Sequence, residues 1–130
     1  MKILAIDMGT GTQDILLFDS ERTIENSVKM VLPSATEIAA RRIRKATRDA
    51  RALVLTGVNS GGGPCAWALE EYVKKVGLAY ATPEAAQTFD DDPERVREMG
   101  VHIVSEGEAV RMDGEHVKLR DLDLDAIRNV

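Results

Sequence analysis

The chain has a single cysteine, Cys65, among its 130 residues. No disulfide can form within it, and it cannot supply the several cysteines of an iron–sulfur cluster or a cysteine-rich zinc site. Neither cofactor is expected, and a reducing, cytoplasmic setting is. Long hydrophobic runs are also missing. The first apolar run, Ile3 to Ile6, stops at Asp7, too short for a signal-peptide core or a membrane span. No membrane partner is expected. Positive charge is in deficit: 17 basic against 22 acidic residues leave a formal charge of −5. That argues against nucleic acid as a general partner, because such domains are usually basic overall. There are two histidines, His102 and His116, and neither has a neighbour at ligand spacing. Both are expected in strands or on the surface. Asp121, Asp123 and Asp125 alternate, but a calcium loop needs glycine at its sixth position, where this chain has Ala126. Internal repeats and low-complexity linkers are absent too.

What is present suits one packed domain, with 44% hydrophobic and 30% charged residues. Ile3 to Ile6, Ile15 to Phe18 and Ile24 to Leu32 read as three strands joined by short turns, an antiparallel meander. Ser34 and Glu37 have capping-box spacing at the start of a helix. Ala35, Ala39, Ile43, Ala46 and Ala50 form its apolar stripe, with Arg41, Arg44, Lys45 and Arg48 opposite. Ala52 to Leu55 is a fourth strand. Pro64 opens a second helix that Gly77 stops, and Trp67 falls at its core spacing. Cys65 reads as a small buried hydrophobe. Leu78 to Ala81 and Val101 to Val104 are short strands, and Thr82-Pro83 and Asp92-Pro93 start two short helices. Val110 to Met112 and Val117 to Leu119 flank Asp113-Gly114, which predicts a C-terminal β-hairpin. The later strands alternate with helices, which predicts parallel crossovers. The whole reads as an α/β fold with one mixed sheet plus that hairpin.

Two glycine-rich loops carry the chemistry. Asp7-Met8-Gly9-Thr10-Gly11-Thr12-Gln13 lies between two strands. Its glycines let backbone N–H groups approach a phosphate, and Thr10 and Thr12 add hydroxyl donors. Asp7 can hold Mg²⁺, directly or through water. The competing reading is a tight hairpin that simply needs glycine. The loop is neither a dinucleotide fingerprint nor a Walker loop, because the third glycine and the Gly-Lys-Ser/Thr are missing. The second loop, Ser60-Gly61-Gly62-Gly63-Pro64, precedes a helix N-terminus, where the helix dipole favours an anion. Both loops follow strand ends, so they are expected to share one edge of a sheet.

Residues 3–19, ILAIDMGTGTQDILLFD, resemble the first phosphate motif of the actin-like ATPase and sugar-kinase superfamily. The element order through about residue 90 is similar to that superfamily's ribonuclease-H-like lobe. The segment Leu53 to Gly57 resembles the strand and Thr-Gly turn of carbohydrate kinases. More closely, the chain resembles the N-terminal part of a mainly archaeal family of distantly actin-like proteins, through Gly61 to Pro64 and Tyr80 to Ala86. Some of its members are labelled pyruvate formate-lyase activating enzymes. A radical activase of that type needs a three-cysteine motif, so that activity is not expected of this chain. The resemblance implies ATP and Mg²⁺ as cofactors, bound at Gly9, Thr10, Gly11, Thr12, Gly61, Gly62 and Gly63, with Asp7 at the metal. It also implies a ribonuclease-H-like lobe over residues 1–120. Residues 121–130 would begin the connection to a second lobe, supplied by further chain or by a partner subunit.

The expected function is therefore the nucleotide-binding half of an ATPase or small-molecule kinase, inactive alone. Two alternatives stand beside it. A ribonuclease-H-like nuclease would need more carboxylates around Asp7. A non-catalytic interaction domain of the same fold would need none.

Overall fold

The first three apolar runs pair with one another and, among the described residues, with nothing else. In the computed structural model, which describes residues 1–21, 28–60 and 63–121, β1 (Lys2–Met8), β2 (Thr12–Asp19) and β3 (Val28–Pro33) form an antiparallel sheet in that order. Register places Asp7 opposite Asp14 and Met8 opposite Gln13. The Gly9 N–H donates to the Thr12 carbonyl at 2.9 Å and closes the β1–β2 turn. The predicted start of the third strand at Ile24 lies outside the described residues.

A second sheet holds β4 (Leu53–Gly57), β5 (Ala79–Ala81), β6 (Val101–Ile103) and β7 (Glu115–Leu119), all parallel, in the order β6-β5-β4-β7. Parallel neighbours need crossovers. Helix α2 (Gly63–Lys75) supplies the one from β4 to β5, and α3 (Pro83–Ala86) with α4 (Pro93–Glu98) the one from β5 to β6. Helix α5 (Glu106–Arg111) carries the chain from β6 across to β7, on the far side of β4.

Two expectations need correction. The single mixed sheet is two sheets, because β5 and β7 occupy both edges of β4 and leave none for β1. The C-terminal hairpin does not form. Val110 lies in α5, and β7 pairs with β4. The competing signal was Ser105-Glu106-Gly107-Glu108, where the Ser105 hydroxyl accepts the Glu108 N–H at 3.1 Å and caps a helix. Asp113-Gly114 turns that helix into β7. A side chain at Gly114 would meet the Ala52 carbonyl at 2.5 Å, so glycine is required there by a close approach, with φ at +151°.

The core belongs to the second sheet. Helix α1 (Ala35–Asp49) buries Ala39, Ala40, Ile43 and Ala46, and α2 buries Cys65, Ala68, Leu69 and Tyr72. These close on Leu53, Leu55, Ala79, Ala81, Val117 and Leu119. The alanines let α1 and α2 approach closely, and each fully buried Leu contributes about 2 kcal/mol. The Tyr72 hydroxyl ends at polar partners, 2.7 Å from the Arg51 carbonyl and 3.0 Å from that of Leu78. Glu115 takes Arg42 at 3.2 Å and Arg51 at 3.3 Å, fastening the start of β7 to α1 and to the segment after it. Two positions differ from the sequence reading. Ala50 is the left-handed cap of α1, at φ 51°, not part of its buried stripe. Trp67 is 70% exposed, because the buried face of α2 runs through Cys65, Ala68, Leu69 and Tyr72. His102 and His116 are exposed strand residues, as expected. Among the described residues no helix is long and apolar enough to cross a membrane.

Candidate functional site

Ser34 decides how the two sheets meet. It is the N-cap of α1, and its hydroxyl oxygen accepts the Glu37 N–H at 3.2 Å. The same hydroxyl donates to the Thr10 carbonyl at 2.7 Å, and the Ser34 N–H donates to the Gly11 carbonyl at 3.1 Å. The first turn of α1 is thereby fastened to the glycine turn between β1 and β2. Only half of the predicted capping box forms. The Glu37 carboxylate turns to Arg44 at 3.0 Å and Arg41 at 3.5 Å, and Gly11 takes the backbone N–H that it would have satisfied.

At this junction lies a cavity of about 480 Å³. Met8, Gly9, Thr10 and Gln13 line it from the first sheet, and Ser34, Ala35 and Thr36 from the start of α1. Asn59 and Ser60, after β4, and Asp121, after β7, complete it. Gln13, Ser34, Thr36 and Asn59 are buried polar residues in its wall. Gln13 donates to the Pro33 carbonyl at 3.0 Å. The Asn59 side chain donates to the Arg120 carbonyl at 2.8 Å, and its backbone N–H to the Thr88 hydroxyl at 3.0 Å. The Thr36 hydroxyl accepts the Cys65 N–H at 3.3 Å, which sets the first turn of α2 against the first turn of α1. Asp121 grips the second loop. One of its oxygens accepts the Ser60 N–H at 2.7 Å and the other the Ser60 hydroxyl at 3.0 Å.

Among the described residues the wall carries no lysine or arginine. Its donors are backbone N–H groups, hydroxyls and amides, together with the positive end of the α1 dipole. Among the described residues its one formal charge is the Asp121 carboxylate. Such a wall can hold an oxyanion through neutral donors. The Cys65 thiol is buried, which disfavours its thiolate. Burial pushes its pKa up, against a smaller opposing pull from the Thr36 hydrogen bond.

The residues proposed from sequence are divided among several places. Gly9 and Thr10 line the cavity. Gly11 contributes its carbonyl to Ser34, and Thr12 starts β2 opposite Pro33. Gly63 is the first residue of α2, at φ +40°. Gly61 and Gly62 lie outside the described residues. Asp7 does not line the cavity. It lines a separate, largely apolar hollow of about 430 Å³ on the first sheet, together with Asp14, Leu16 and Lys29. The sequence reading held Gln13 and Ser60 within the two loops without giving them a role, and it missed Thr36, Asn59 and Asp121 as wall residues. Asn59 could have been found as the polar neighbour of Ser60 at the start of the glycine loop. Asp121 could not, because nothing local links it to a loop 61 residues away.

No curated protein matches the chain, and neither does any solved structure. A family does: residues 60–130, over half of the chain, match the one described as "Putative pyruvate format-lyase activating enzyme (DUF1786)", and the chain belongs to that family.

Proposed function

We propose that this chain is the phosphate-binding half of an actin-like ATPase or small-molecule kinase, with ATP and Mg²⁺ as its ligands and with the site completed by a second lobe or a partner subunit. The observation that carries the reading is one cavity walled by the Gly9-Thr10 turn, the first turn of α1 and the Ser60 loop. Phosphoryl transfer asks a protein mainly to position groups and neutralise charge, and neutral donors around a helix start suit the first task. In this reading the antiparallel meander and parallel crossovers belong to a ribonuclease-H-like lobe. ATP fits the wall through its terminal phosphate oxygens, which Gly9, Thr10 and Ala35 would meet. Mg²⁺ would supply the charge neutralisation that the wall lacks. Asp7 stands two residues before Gly9 but outside the cavity, and its carboxylate would hold the Mg²⁺, directly or through water. The activity in the family's description is a different matter. One buried cysteine cannot ligate an iron–sulfur cluster, so this chain does not by itself provide a radical activase centre.

The test is a titration of ATP with Mg²⁺ into the isotope-labelled chain, followed by amide NMR to millimolar ligand. Shifts at Gly9, Thr10, Ala35, Thr36 and Ser60 are expected. They should be lost in Gly9→Val, because a Cβ there would meet the Thr12 carbonyl at 3.2 Å and crowd the turn. A spectrum that does not respond overturns the reading.

The nuclease reading gains one observation, the placement of Asp14 directly across from Asp7. Among the described residues no group of three metal-ligating side chains occurs. Mg²⁺-dependent cleavage of branched DNA, abolished in Asp7→Asn, would favour it over the kinase reading.

A further inference from the structure

The Asp121–Ser60 contact has the form of a bound ligand. A carboxylate is an oxyanion, and it sits on a backbone N–H and a hydroxyl, one oxygen to each donor, at 2.7 and 3.0 Å. Those two donors belong to the loop after β4, and both Ser60 and Asp121 line the cavity. Charge-assisted bonds of this kind are stronger than neutral ones, so the contact is not incidental to the loop. It also stands where it counts most, since among the described residues Asp121 contributes the only formal charge in a wall that otherwise consists of neutral donors. An incoming phosphate would face that negative charge and would find the Ser60 donors already taken.

We propose that the Ser60 N–H and hydroxyl form an oxyanion subsite for a phosphate group, and that Asp121 is its tethered occupant, which a phosphate ligand must displace. This rests on the phosphate-binding reading above and adds to it a residue that sets affinity. Ligand binding is thereby coupled to release of Asp121, which lies two residues beyond the end of β7. A tethered carboxylate competes at a fixed effective concentration, so it selects for ligands with more than one point of attachment. A phosphate that also engages the Gly9-Thr10 turn and the start of α1 has those points. A lone monoanion does not.

The experiment compares the unaltered chain with Asp121→Asn in two NMR titrations, one with orthophosphate and one with ATP and Mg²⁺. The asparagine keeps the shape and removes the charge. Affinity for both probes is expected to rise about fivefold, the factor that one near-contact charge pair gives in water. An unchanged or weaker affinity in Asp121→Asn, with the unaltered chain still binding, overturns the tethered-occupant proposal and leaves the phosphate reading standing. Absence of binding by both proteins overturns the reading and the proposal together. Should the variant not fold, the Asp121 carboxyl carbon resonance of the unaltered chain answers the same question. It must move as ligand is added, and a fixed resonance beside shifting Gly9 and Thr10 amides overturns the proposal.

Discussion

Two sheets of similar apolar character meet opposite fates in this chain. Leu53, Val54 and Leu55 of β4 are fully buried. In the first sheet Leu4 is 57% exposed and Val31 68%, and Ile15 is its one fully buried aliphatic side chain. The difference lies in cover. Strand β4 has parallel neighbours on both edges and the helices α1 and α2 packed against it. Among the described residues, strands β1, β2 and β3 pair only with each other and contribute nothing to the main core cluster. An apolar run therefore announces a strand, while the partners of that strand decide its burial. A small sheet needs a packed face to be stable alone, so the first sheet depends on its attachment through Ser34 much more than the second does.

Substitutions should divide along the same line. The largest effect is expected at Gly57, at the end of β4. A Cβ there would lie 2.2 Å from the Leu119 carbonyl, and φ is +68°. Gly57→Ala must push β7 away from β4, and a loss of about 4 kcal/mol is expected in denaturant unfolding. Gly11, in the turn of the first sheet, has open space around it. Gly11→Ala should leave stability almost unchanged. Equal losses at the two glycines would break the comparison.

Truncated leucines sharpen it. Leu69 of α2 is fully buried in the core. Leu69→Ala should cost about 3 kcal/mol, from lost transfer energy and a residual cavity. Leu4→Ala, on the exposed strand, should stay within about 0.5 kcal/mol. A large loss at Leu4 in the same unfolding assay would mean that something covers the first sheet in solution.

The sequence was legible wherever the signal was local. Most of the strands, the α1 stripe up to Ala46, the caps Ser34, Thr82 and Asp92, and the stop at Gly77 follow from residues within one turn of each other. The errors came where a local signal had a distant competitor. Asp113-Gly114 reads as a hairpin, yet Ser105 upstream turns Val110 into a helix and frees β7 to pair with β4. Trp67 sits at helical spacing, but the face that α1 covers passes through Ala68 instead. The cavity was half legible for the same reason. Gly9 and Thr10 stood out as glycine-loop residues, while Thr36, Asn59 and Asp121 owe their place in the wall to tertiary contacts.

The smallest expected effect is a gain, and it lies in the exposed sheet. Asp7 and Asp14 face each other directly across β1 and β2. Like charges at such a position destabilise a pair of strands, typically by a few tenths of a kcal/mol up to about 1. Water covers both residues, so the lower part of that range applies here. Asp14→Asn removes the repulsion while keeping the side-chain shape, and it should stabilise the chain by about 0.3 kcal/mol at low salt. Added salt screens exposed charges, so the gain should shrink as ionic strength rises. Lys29, across from Leu16 on the same face, already offsets part of the repulsion, and Lys29→Met should enlarge the benefit of Asp14→Asn. If Asp14→Asn is instead destabilising in a salt series, the two carboxylates share a favourable partner, and a bound cation on the sheet face becomes the first thing to titrate.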